Sequence, residues 1–145
     1  MADTTQSYAN HVRWHPIYHF FLSPIMVLNL IWSVVRVIRF PGWDNAELAL
    51  LGVGLAVMAL LVRTNPLRVQ DRVIRLEEQL RYQRVLPAEL AERAGALPVS
   101  KIAALRFAPD EELPGLVRQV LDGKLAKSDE IKRAIKNWRG DYFRV

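Results

Sequence analysis

Between Arg13 and Arg36 lie 22 consecutive residues without a formally charged side chain, and a second apolar run, Leu48 to Val62, follows after a short Pro41-Gly42 turn. Residues 17–35 are long enough to cross a hydrocarbon core of about 30 Å at about 1.5 Å per helical residue. The second run has only 15 residues. Glu47 and Arg63 flank it and can snorkel, however, and Trp43 is placed for the interface, so it reads as a span rather than as a core helix. The expected fold is all-α. A transmembrane hairpin (17–62, with spans at about 17–38 and 44–63) follows a polar and aromatic interfacial leader (1–16). It precedes a linking amphipathic helix (63–86) and a small helical cytoplasmic domain (87–145).

The charge distribution sharpens this division. Residues 1–62 are neutral overall, with Arg13, Arg36 and Arg39 against Asp3, Asp44 and Glu47, so the whole excess of +5 belongs to residues 63–145. Arg13, Arg63, Arg68, Arg72, Arg75 and Arg81 lie on the side of the termini, whereas the hairpin loop carries Arg36 and Arg39. The positive-inside rule then places both termini in the cytoplasm. The chain has no cysteine, which excludes disulfides, thiol catalysis and cysteine-based zinc or iron–sulfur sites. The leader has Asp3 and a single Arg, and the first run ends in Arg36-Val-Ile-Arg39-Phe-Pro rather than in small residues, so it is expected to remain as an anchor.

Along the chain, Trp14, His15 and Tyr18 form an aromatic belt at the start of the first span, with Arg36, Trp43 and Arg63 as the other interfacial residues. Pro16 suits a first helical turn and Pro24 is expected to bend the span. From Pro66 to Arg84 the apolar positions Val69, Val73, Leu76 and Leu80 step by four, three and four, with acid-before-base pairs Asp71→Arg75 and Glu77→Arg81. Packing of this stripe on the tail domain is favoured over a coiled coil, because fewer than two heptads are present. Pro87 should open a helix ending at Gly95, Ser100 cap one running through Phe107, Asp110 begin one ending near Gly123, and Ser128 begin one running through Trp138.

Four segments carry a resemblance: Asn10-His11-x-Arg13-x-x-Pro16-x-x-His19, Val69-Gln-Asp-Arg-Val-Ile-Arg-Leu-Glu77, Ala104-Leu-Arg-Phe-Ala-x-Asp-Glu-Glu-Leu-Pro114 and Ile131-Lys-x-Ala-Ile-Lys-x-Trp138. On these the chain resembles a family of small bacterial membrane proteins of unknown function. The resemblance implies two spans and a cytoplasmic tail, and brings no activity, cofactor or catalytic residue.

His11, His15 and His19 recur every four residues, a spacing that could offer imidazoles to a metal or haem. Pro16 interrupts the set and no carboxylate or cysteine completes it, so interfacial hydrogen bonding is the stronger reading. In the first span Asn29 and Ser33 lie on one polar face with His19 and Arg36; in the second, Ala49, Gly52, Ala56 and Ala59 form a face of small residues. The two faces are expected to pack together inside the hairpin. The alternative is that the polar face lines an oligomeric pore or a partner groove. Residues 124–145 carry seven basic and three acidic residues among Trp138, Tyr142 and Phe143. Lys132, Arg133, Lys136 and Trp138 are the candidate contacts with an anionic lipid surface or a protein partner, in preference to nucleic acid.

No catalytic constellation, metal site or cofactor site can be assembled, since the tail acids sit in helix first turns or surface pairs and no His follows residue 19. The expected function is non-enzymatic: a membrane-anchored interaction or accessory subunit in a bacterial inner membrane. Its partners are the lipid bilayer and a protein or a second copy of itself, with no nucleic acid and no identified small molecule. The alternative is a homo-oligomeric channel or transport component.

Overall fold

A computed structural model describes residues 6–11 and 14–142; Asp3, Arg13 and Phe143 lie outside the described residues. All regular structure among the described residues is helical. A π-helical turn, Ile17–Leu22, leads into α1, Ser23–Arg39. There follow α2, Trp43–Val85; α3, Ala88–Gly95; α4, Val99–Leu105; α5, Leu113–Leu121; and α6, Ser128–Ala134. The chain divides into two compact units, one made of Arg13–Leu67 and the other of Met1–Val12 with Arg68–Val145.

In the first unit two helices are long and apolar enough to cross a membrane, and only 6% of each apolar window is buried within the protein. Pro24 acts differently from a simple bend. It has no N–H to offer the Phe20 carbonyl and its ring would crowd that oxygen, and the turn just before it is widened. There the N–H and the hydroxyl of Ser23 both donate to the Tyr18 carbonyl, the hydroxyl at 2.8 Å. At the far end α1 stops at Phe40, whose carbonyl accepts from Asn45 Nδ2 at 2.7 Å, so the Pro41-Gly42 turn is tied to the first turn of α2.

Helix α2 runs through Pro66 without ending. Its second half is the spine of the other unit, where α3 packs on α5 and α4 on α6. Tyr82, Ile102, Leu105, Phe107, Leu113, Val117 and Ile131 are fully buried in one continuous core. On this half of α2 the buried positions are Ile74, Glu78, Arg81 and Tyr82, which share one face. The stripe expected to pack there faces elsewhere: Val69, Val73, Leu76 and Leu80 are 61, 46, 62 and 62% exposed. The reason lies in the sequence. Ile74, Tyr82 and Val85 form a second apolar face almost opposite the stripe, and it is this face whose Tyr82 and Val85 pack into the core formed with α3–α6.

The tail helices differ from the expected ones at their ends. Pro87 does cap α3, and Gly95 does end it. Ser100 lies inside α4, whose N-cap is Pro98; its carbonyl accepts from the Ser128 hydroxyl at 3.0 Å. α5 begins after Glu112 rather than at Asp110 because residues 109–112 form a turn closed by Leu113 N–H on the Pro109 carbonyl at 3.0 Å. It ends in a Schellman arrangement: Gly123 takes φ +77°, and the N–H of Lys124 reaches the Gln119 carbonyl at 2.9 Å. α6 stops at Ala134, so Trp138 is not helical; Ile135 is extended and the following N–H groups are captured by Glu112.

Candidate functional site

Within the first unit, a Cβ added to Gly52 would lie 3.2 Å from both Asn29 Oδ1 and Ser33 Oγ. Any larger residue there would have to displace those polar groups. Ser33 is buried and satisfies its hydroxyl on the Leu30 carbonyl at 2.9 Å. Ala49, Ala56 and Ala59 are half-buried. One turn from the end of the apolar run, the Tyr18 hydroxyl donates to the Ala59 carbonyl at 3.2 Å and the Arg63 guanidinium stands 5.9 Å from the Tyr18 ring. Trp14 and Trp43 are exposed, as are His15 and Arg36. The His15 carbonyl meets His19 Nδ1 at 3.0 Å, while His11 belongs to the other unit, so the three histidines do not form one set.

The second unit contains a buried charged node that the sequence reading missed. Arg81, whose side chain is 4% exposed, reaches Glu78 at 3.2 Å and Asp110 at 2.6 Å, and donates from Nη2 to the Ala108 carbonyl at 2.7 Å. Arg139 approaches the same Glu78 carboxylate at 3.6 Å, and Arg106 pairs with Asp141 at 3.2 Å. Sequence spacing assigned Arg81 to Glu77 and Arg75 to Asp71. Arg81 instead turns inward, and Arg75 donates to the Gly95 carbonyl at 3.3 Å. The available signal was the helix face: Glu78 and Arg81 share it with Ile74 and Tyr82, and a charge on a core face needs partners.

Burial pushes the Glu78 carboxyl above the ordinary glutamate range; the Arg81 and Arg139 guanidiniums pull it back only in part. Burial likewise pushes up the Tyr82 phenol, with the Glu78 charge adding to the effect. Desolvation is the largest single influence on Glu112 and raises it, but the Lys136 N–H, the side-chain and backbone N–H groups of Asn137 and the Lys136 charge together outweigh it and hold the carboxyl below its usual range. Glu130 is held low by the backbone N–H groups of Lys127 and Ala126, at 3.1 and 2.8 Å. Above the node an open cleft of about 440 Å³ is walled by Ile74, Leu80, Arg84, Arg139 and Tyr142. Its inner arginines are already committed to carboxylates and a carbonyl. No group of three His, Asp or Glu side chains among the described residues is arranged to hold a metal ion.

The residues proposed for lipid or partner contact are placed differently from a free basic face. Of the leader, residues 6–11 group with the second unit and residues 14–16 with the first. Tyr8 donates its hydroxyl to Asp129 at 2.6 Å and accepts from Arg133 Nε at 3.0 Å. His11 Nδ1 meets the Tyr8 carbonyl at 2.6 Å and its Nε2 meets Lys132 Nζ at 3.0 Å, while its ring lies 5.7 Å from Trp138 and 6.0 Å from Phe107. Lys132, Arg133 and Trp138 therefore contact the N-terminal segment, while Arg133 and Lys136 both remain exposed. Contacts between residues about 120 positions apart left no local signal in the sequence.

These features define an all-helical protein with two helices long and apolar enough to span a membrane, attached to a small, separately cored helical unit. Over residues 1–145 the chain matches, and so belongs to, the family described as a family of unknown function (DUF6526). No curated protein and no solved structure is similar to it.

Proposed function

We propose that the chain is a non-enzymatic, membrane-anchored interaction or accessory subunit, held by a two-helix hairpin in a bacterial inner membrane with both termini in the cytoplasm. The observation that carries this reading is the low burial of the apolar helices: a soluble core helix of the same composition would be mostly covered by protein, and here 6% of each window is. Such a surface in water would be an aggregation site, and in lipid it is solvated. The contacts of Tyr8 and His11 with α6 support an even number of crossings, because segments that flank the apolar unit and pack on each other must share one side of a bilayer. The arginine distribution favours the cytoplasmic side for that shared unit.

The test combines extraction with topology. The chain should stay with membranes through an alkaline wash, and a periplasm-only reporter should be active when fused at residue 42 and silent at residue 145. Release by the wash would refute the anchor; reporter activity at residue 145 but not at residue 42 would reverse the orientation.

A further inference from the structure

On α2 the exposed stripe Val69, Val73, Leu76 and Leu80 lies opposite the face that Ile74, Glu78, Arg81 and Tyr82 bury against the tail. We propose that this stripe is a self-association seam through which two copies of the chain pair in parallel as a short coiled coil over residues 69–80. The spacing assigns the four residues to heptad positions d, a, d and a, and the central Val73 at a with Leu76 at d is the combination that favours two strands. The flanking positions select both the partner and the orientation. Arg72 falls at g and Glu77 at the following e, which are the positions that face each other across a parallel dimer, so the two-fold axis generates two opposite-charge pairs.

The seam rests on the membrane-anchored reading, for two reasons. Anchors in one bilayer align two copies in parallel, as the Arg72 and Glu77 pairing requires. The stripe also offers only on the order of 400 Å² per copy, about 800 Å² for a pair, below the roughly 1,200 Å² of a stable free interface. Confinement to a membrane raises the effective concentration enough to compensate for that shortfall.

The absence of cysteine makes the full-length chain in its native membrane a clean background for single-cysteine crosslinking. Under mild oxidation, Val73→Cys, Leu76→Cys and Leu80→Cys should each give at least tenfold more crosslinked dimer than Asp71→Cys, an exposed position on the same helix and off the seam. In the Leu76→Cys background, Arg72→Glu or Glu77→Arg alone should reduce the dimer several-fold, and Arg72→Glu with Glu77→Arg should restore it. Equal crosslinking at Asp71→Cys, or no restoration by the double exchange, would overturn the parallel seam. An alkaline wash of the same membranes separates the two readings. Chain retained but not crosslinked at Leu76→Cys defeats the seam and leaves the anchor standing; chain released defeats the anchor and the seam with it.

Discussion

Residues 13–67 and the C-terminal unit use the same aliphatic residue types in opposite surroundings. In the first, Ile38 and Leu50 are 74 and 73% exposed; in the second, Ile102 and Leu105 are fully buried. The contrast extends to polar groups. In the apolar unit the buried Ser33 hydroxyl is satisfied within its own helix by the Leu30 carbonyl, whereas the C-terminal unit buries the Glu78 and Arg81 charges of α2 and ties Arg81 to the exposed Asp110 carboxylate and the Ala108 carbonyl. The proposed anchor accounts for this contrast physically: an external apolar solvent would take the place of the internal core that residues 13–67 lack.

The strongest challenge to the C-terminal half of this contrast is Arg81→Ala. It would leave Glu78 buried beside Arg139 alone and strip the Ala108 carbonyl of its donor, and should cost about 3–5 kcal/mol in denaturant unfolding of that unit. A loss under about 1 kcal/mol would mean that the node is solvated and the core smaller than described.

Leu50→Arg probes the other half. On a water-facing helix such an exposed substitution would be close to neutral, but facing hydrocarbon it should cost on the order of 1–3 kcal/mol of insertion, less than the roughly 2.5–3.5 kcal/mol of a helix centre because Leu50 lies near the start of the run, read as the membrane-retained fraction. Unchanged retention would erase the difference between the two units. Gly52→Leu should disturb packing within the apolar unit by about 1–3 kcal/mol, because the added side chain starts 3.2 Å from Asn29 and Ser33, while Leu60→Ile on an exposed position should matter little. Equal thermal shifts for the two would remove the case for close approach at Gly52.

The smallest effect concerns pH. Glu78 has its folded value raised, so its contribution to stability is fully present below the ordinary value of 4.5 and is lost as pH rises through the folded value. Glu112 and Glu130, with lowered folded values, act in the opposite sense: their contribution is present above the ordinary value and lost as pH falls through the folded one. Melting Glu78→Gln beside the parent chain isolates the first effect. The variant should gain relative to the parent on going from acid to neutral pH, and a pH-independent difference would show that Glu78 does not titrate in this range.

Sequence alone determined the helical class, the two apolar runs and their length, the basic excess beyond residue 62, the helix starts marked by Pro87 and Ser128, and the end marked by Gly123. Each of these depends on residues within a turn or two of one another, where periodicity and backbone constraints act directly. Tertiary structure decided the rest. Of two apolar faces on α2, only packing could choose Ile74, Tyr82 and Val85 over Val69, Val73, Leu76 and Leu80. Whether Arg81 pairs outward with Glu77 or inward with Glu78 and Asp110 follows from that choice, since a face that turns inward takes its charges with it. The docking of Tyr8 and His11 on α6 joins residues about 120 positions apart, and no local pattern encodes such a meeting. It exists because the two ends of the chain complete one packed unit, and that is a property of the fold rather than of any segment.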